Sequence, residues 1–373
     1  MIMNPPGRRL ASACLLLAVA TFLAACAPTG GPESPMRAVA EPPVSSAPHP
    51  ASPTPFQVAR PTASMAPADM PSFPQQLTSG GCCAYPFWLD DSSTVYYLGR
   101  DSAGRSSVMA QGLTAGSPEA VFDRPAWFDA DGRFAEYPSG EFTVVSRLSD
   151  HVEWRLPTGG RPLKFAPVGS RVAWIVSSNS IANRDQRRSA IWISQIDGDE
   201  RRRLIDVIGG SLVGWAEDGD ALFVSGRLQA QGPAGIWRVA LGGVPTLLFE
   251  AERVRDVSLS PDRRVLAFYI AFADDVSQDG LWLLDGIRGE STKLEAFGAF
   301  RWRGRNRLLV IPLNMNPSPL TLEEYQVGRA DPIHEFSFPS LPIADNDWSV
   351  SPDGQIVVYR SNLDGNLWWV RLK

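Results

Sequence analysis

From residue 73 onward, short apolar runs alternate with polar turns, and the runs have the length and composition of strands rather than helices. The clearest stretch closes the chain. It runs Trp348-Ser349-Val350, the turn Ser351-Pro352-Asp353-Gly354, Ile356-Val357-Val358-Tyr359, a second turn at Asp364-Gly365-Asn366, and Leu367-Trp368-Trp369-Val370. In the first turn Pro presets φ, Asp hydrogen-bonds locally and Gly supplies a positive φ. The order recurs upstream, with copies starting at Trp88-Leu89-Asp90-Asp91, Trp127-Phe128-Asp129, Trp215-Ala216-Glu217-Asp218-Gly219 and Val257-Ser258-Leu259-Ser260-Pro261-Asp262. Degraded copies start at Phe165-Ala166-Pro167 and Trp302-Arg303-Gly304. Second strands follow directly, as in Val95-Tyr96-Tyr97-Leu98 and Val265-Leu266-Ala267-Phe268, and third strands centre on a bulky residue, as in Ile236-Trp237-Arg238-Val239.

The copies start about 37 to 50 residues apart, the period of four-stranded propeller blades. The expected fold is therefore all-β: a β-propeller of four-stranded blades over residues 73–373. Seven starts predict seven blades, or six if the short copy at Trp127 is not a full one. The last copy ends at Lys373 after three strands, while Phe73-Pro74-Gln75-Gln76-Leu77-Thr78 reads as a stray strand ahead of the first copy. Pairing the two ends closes the ring and removes an exposed edge.

The N-terminal segment follows a different pattern. Arg8 and Arg9 precede an apolar run from Leu10 to Ala25, about 16 residues and shorter than the roughly 20 a membrane-spanning helix needs. Residues 1–25 read as an export signal. Leu23-Ala24-Ala25-Cys26 resembles the lipobox of bacterial lipoproteins, which implies lipid attachment at Cys26 and membrane anchoring through that residue. Export places the chain on the outer face of the cell membrane, or in the periplasm or at the outer membrane of a Gram-negative cell. Residues 26–72 then form a Pro-, Ala- and Ser-rich tether, with too few apolar groups to offset chain entropy.

Composition narrows the chemistry. Lys and Arg number 35 against 40 Asp and Glu, a net charge of -5, so no basic excess supports nucleic-acid binding. With only three His and four Cys, a His/Cys metal cluster is not expected, nor is a cofactor. There is no Gly-x-Ser-x-Gly elbow, P-loop, dinucleotide-binding glycine pattern or His-Glu-x-x-His, and no catalytic residue is assigned. His151 and His334 read as surface residues. Asp274, Asp275 and Asp279 could hold a hard cation but read more simply as solvated loop charges. Cys82-Cys83 is unusual, since adjacent cysteines in an oxidising compartment either join each other, pack as small residues or bond another chain.

The Ser-Pro-Asp-Gly and Asp-Gly-Asn turns, together with the repeat period, resemble the TolB-like, WD40-like β-propeller repeat family across roughly residues 73–373. That resemblance implies a docking surface for an envelope protein. TolB carries an α/β domain ahead of its propeller, where this chain has the lipobox-like segment and tether. Loops between second and third strands share a face with the connections between blades, and they vary most here. Asn183, Arg184, Arg187 and Arg188 lie in one and Asn314 in another; with Cys82 and Cys83 they form the expected binding face. The expected role is a lipid-anchored protein-binding or scaffolding module. The alternative is a propeller enzyme, or a small-ligand or metal binder, using the mouth of the central channel.

Overall fold

The computed structural model describes residues 73–372 apart from 115, 179–182, 314–319 and 339–340. Cys26, the expected export signal, the whole of the expected tether and Asn314 lie outside the described residues. The described chain is almost entirely strand, arranged in six antiparallel sheets that follow one another around a ring.

Each sheet is a meander whose first strand is innermost. The first sheet comprises Ala84–Phe87, Thr94–Arg100, Ser106–Gly112 and Glu119–Phe122. The second comprises Trp127–Phe128, Phe134–Ser139, Phe142–Arg147 and Glu153–Leu156. The fourth opens on Val254–Leu259, the fifth on Gly298–Trp302 and the sixth on Ile343–Val350. The seven starts read from the sequence fall in these innermost strands, just after one, or at the end of the long strand described next.

The third sheet corrects the expected blade count. It has seven strands, because the 14-residue strand Arg202–Trp215 serves two units. Arg202 to Ile208 pairs with Arg188–Gln195, and Ile208 to Trp215 pairs with Ala221–Arg227. The two halves of the sheet pack face to face, with Ile191, Ile193 and Val207 against Trp215, Leu222 and Val224. Separate four-stranded blades therefore number five, not the seven or six expected. Gly209-Gly210 is the physical reason. A Cβ on Gly210 would stand 1.7 Å from the Ser225 carbonyl oxygen, so only glycine lets the strand bend into the next unit without a loop.

The core lies between sheets. Phe268 and Leu284 of the fourth pack on Phe223 and Ile236 of the third, and Leu308 and Tyr325 of the fifth pack on Ala267 and Leu283 of the fourth. Aromatic contacts join the first sheet to the second, with Phe87 5.5 Å from Phe128 and Phe122 5.8 Å from Tyr137. Closure follows the sequence expectation. Gln75–Gln76 pairs with Trp368 and Trp369, so the N-terminal strand becomes the fourth strand of the sixth sheet.

The Ser-Pro-Asp turns explain why the copies repeat. Ser351 is buried; its Oγ accepts the Ile356 N–H at 3.0 Å and donates to Asp353 Oδ1. Ser260 does the same for Val265 at 2.9 Å. In the second sheet Asp129 takes the serine's place, accepting the N–H groups of Arg133 and Phe134. At the degraded copy of Phe165 and at the copy of Trp215, Ala166 and Ala216 leave the turn to main-chain bonds.

Two predictions follow from these buried polar groups. Ser351→Ala strands the Ile356 N–H and should lower unfolding stability by roughly 1–3 kcal/mol, read from urea denaturation. The second concerns Glu136, buried at 2% exposure with both carboxylate oxygens on the Leu163 N–H and its pKa pushed up to about 8 by burial. A folded value raised above the unfolded one stabilises fully below the unfolded pKa, and that contribution is lost as pH rises through about 8. Glu136→Gln should flatten this dependence, so that the variant gains on the parent as urea midpoints are compared from about pH 5 to about pH 9.

Candidate functional site

The strands alternate in direction, so second-to-third-strand loops and the connections between sheets share one end of the ring. At that end four of the innermost strands are bulged. Their pairing slips between Ala84 and Phe87, Ile208 and Ser211, Arg255 and Ser258, and Ile343 and Trp348. Each slip contains a residue of positive φ: Tyr85 at 55°, Gly209 at 66°, Asp256 at 50° and Asn346 at 58°. Such bulges bend a strand and re-aim its side chains. Tyr85, Asp256 and Asn346 are turned toward solvent in this way, and three non-glycine residues in the left-handed region mark the rim as a place where strain is held.

Between the fourth, fifth and sixth sheets this rim borders a cavity of about 800 Å³ that is open to solvent. Its lining includes Arg255, Tyr269, Phe297, Phe300, Arg301 and Trp302. Tyr269 packs on Phe297 at 5.1 Å and Phe300 at 5.5 Å, and its hydroxyl accepts the Gly298 N–H. Burial pushes that phenol up to about 12, so it stays protonated across the physiological range. Arg301 donates from Nε to the Trp348 carbonyl at 2.9 Å, from Nη1 to Phe300 and from Nη2 to Asn346, each at 2.8 Å. Its guanidinium lies 5.0 Å over the Trp348 ring. Loss of water lowers its pKa from the usual arginine value, and Asp347 opposes that shift. The cavity thus combines aromatic walls with two guanidinium groups and the carboxylate of Asp256.

Around the cavity and beyond it stands an apolar rim. Phe272 is 79% exposed, Val276 77%, Leu313 71%, Tyr85 69% and Phe297 52%. Phe272 has a φ of 60°, and its carbonyl accepts from Arg253. Large apolar groups held out by loop geometry are the mark of a contact surface rather than of a folding core.

The described residues of the expected binding face fall at this end of the ring, on separate units, while His151 and His334 lie at third-to-fourth-strand connections at the other end. Asn183 caps the short 3-10 turn Arg184–Gln186, accepting the Asp185 N–H at 3.0 Å. Arg184 and Arg188 are exposed and Arg187 half-buried; the Arg187 carbonyl accepts the Gly209 N–H. Cys82 and Cys83 are joined to each other, with Cys82 exposed and Cys83 buried in the core between the sixth and first sheets. Asp275 and Asp279 accept main-chain N–H groups of Ser277 and Ala273. His151 and His334 are exposed, His334 resting 4.4 Å from Phe336. Among the described residues no group of three or more His, Cys, Asp or Glu is placed to hold a metal ion.

Sequence reading missed Arg255, Asp256, Arg301 and Asn346. The available signal was a polar residue interrupting an innermost strand shortly before its marker, as Arg301 precedes Trp302 and Asn346-Asp347 precede Trp348. The two sets meet at one point: Arg255 reaches back 70 residues to Asp185, Nη2 to Oδ1 at 2.6 Å.

No family model matches the chain, and no curated protein matches its sequence. Solved structures share its fold. An oligogalacturonate lyase from Vibrio parahaemolyticus is 11% identical with a TM-score of 0.57, over 80% of this chain and 93% of that one. An oligogalacturonate lyase in complex with manganese is 12% identical with a TM-score of 0.53, over 79% and 90%. TolB from Acinetobacter baumannii is 15% identical with a TM-score of 0.42, over 76% and 65%, an overlap too loose to argue from. The two lyases support the β-propeller fold and nothing finer.

The seat of the 184–186 turn is testable. A Cβ on Gly209 would lie 2.4 Å from the Asp185 carbonyl oxygen, and φ there is +66°. Gly209→Ala should dislodge the turn, raising amide hydrogen exchange across residues 183–188 while exchange in the sixth sheet stays at the parental level.

Proposed function

We propose that this chain is a lipid-anchored β-propeller of the cell envelope that serves as a protein-binding module, using the bulged end of the ring as its docking face. The observation that carries this reading is the apolar rim of Tyr85, Phe272, Val276, Phe297 and Leu313, exposed around an aromatic cavity. A solvent-facing rim of this kind gains free energy only when another surface covers it. Asn183, Arg184, Arg187 and Arg188 supply a polar edge to that face, and the Cys82–Cys83 pair lies at its side near the sixth sheet. Cys26 and the tether carry the ring away from the bilayer toward its partner.

A second reading draws on the cavity itself. At about 800 Å³, with two arginines in its lining, it has the size of a small-molecule pocket. In that reading the mouth binds a small ligand or works as a propeller enzyme.

Crosslinking and affinity capture of the full-length lipidated protein from its native membrane separates the two. The docking reading expects one dominant envelope protein that is lost in a Phe272→Ser, Phe297→Ser double variant. The same protein should be retained in Val168→Ser, which alters an exposed apolar residue at the other end of the ring. Capture indifferent to the rim substitutions would overturn it.

A further inference from the structure

Arg255 and Arg301 line the same cavity but are held in different ways. Arg301 spends all three guanidinium nitrogens on main-chain carbonyls, so its position is set by the walls. Arg255 gives Nη1 to the Val254 carbonyl at 3.1 Å and Nη2 to the Asp185 carboxylate at 2.6 Å. That pair joins an innermost strand to a loop of another unit. Its members differ in exposure: the Arg255 side chain is 25% exposed and the Asp185 side chain 48%. Asp185 has solvent to turn into, whereas Arg255 stays in the cavity wall. The main chain of the turn need not move, since it is seated on Gly209 and tied by the Arg187 carbonyl.

We propose that Asp185 is a displaceable internal carboxylate, and that Arg255 is the acceptor for a carboxylate carried by an incoming ligand with an apolar body. A guanidinium and a carboxylate pair more strongly as water leaves, and burial of the ligand's apolar body offsets the cost of desolvating both charges. The ligand's apolar part would lie against Tyr269, Phe297 and Trp302, and Arg301, whose charge Asp347 offsets in part, adds positive potential in the same space. Asp256 lines the same cavity and Asp347 acts on Arg301, so the two carboxylates set a limit, admitting one carboxylate rather than a polyanion. The occupied state trades the half-exposed Asp185 contact for a buried one, so the contact works as a competitive brake on weak or uncharged ligands. This inference concerns the chemistry of the group that enters the mouth, and goes beyond the docking reading without resting on it.

The test uses the full-length protein with 3-phenylpropionate and its uncharged analogue 3-phenylpropanamide, titrated by calorimetry and ligand-observed NMR. The carboxylate should bind the parent weakly and Asp185→Asn about fivefold more tightly, the scale of one partly exposed ion pair. Arg255→Gln should remove binding in both backgrounds, and Arg255→Lys, which keeps the charge, should restore part of it. Equal binding of the amide, retained binding in Arg255→Gln, no gain in Asp185→Asn, or no binding by any variant would each overturn the proposal. Partner capture that is indifferent to the rim substitutions, with these titrations intact, would instead count against the docking reading alone.

Discussion

The ring depends on a very short piece of pairing. Gln75 and Gln76 sit opposite Trp369 and Trp368, and the Leu77 and Thr78 N–H groups both reach the Leu367 carbonyl. Two residues of strand are too little to hold a closure alone, and side chains supply the rest. Thr78 Oγ1 accepts the Leu367 N–H at 2.9 Å, and Asn366 Oδ1 accepts the Gly81 N–H at 2.8 Å. Behind these bonds Leu77 and Cys83 enter a core with Val95, Tyr97, Ile356 and Trp369. Without that closure the strand Leu367–Arg371 would present an open edge, and the core shared by the first and sixth sheets would lose Leu77 and Cys83.

A closed ring makes its loop-bearing end rigid enough to hold side chains in costly positions. Positive φ at Tyr85, Asp256 and Asn346 persists because the surrounding sheets over-determine it. The sixth sheet also reaches into the first here, where the Tyr85 N–H donates to both oxygens of Asp347. The same geometry that exposes an aromatic rim also sets two arginines in one cavity. One of them is locked by carbonyls and the other is held by a side chain that can turn away. The proposals of docking and of anion capture thus draw on one constraint.

Much of the architecture was legible before any coordinates. Ser260 and Ser351 act through their hydroxyls on the N–H five residues ahead, a local interaction that the Ser-Pro-Asp spelling encodes directly. The closing strand was legible because an unpaired edge is costly, and only one spare apolar-polar stretch lay ahead of the first copy. The fusion of two units was not. Arg202–Trp215 reads like an ordinary pair of strands, and Gly209-Gly210 like an ordinary turn, until Ser225 and Asp185 are seen to lie against them.

What the sequence determined by itself is everything governed by neighbours a few residues apart: strand period, turn chemistry, the order of the repeats and the end of the ring where variable loops gather. The tertiary structure alone decided which residues meet at the mouth. Arg255 and Asp185 are 70 residues apart, and Arg301 is 47 from the Trp348 carbonyl it caps. No local pattern announces such contacts, because they arise only when the ring closes and brings the innermost strands of separate sheets around one cavity.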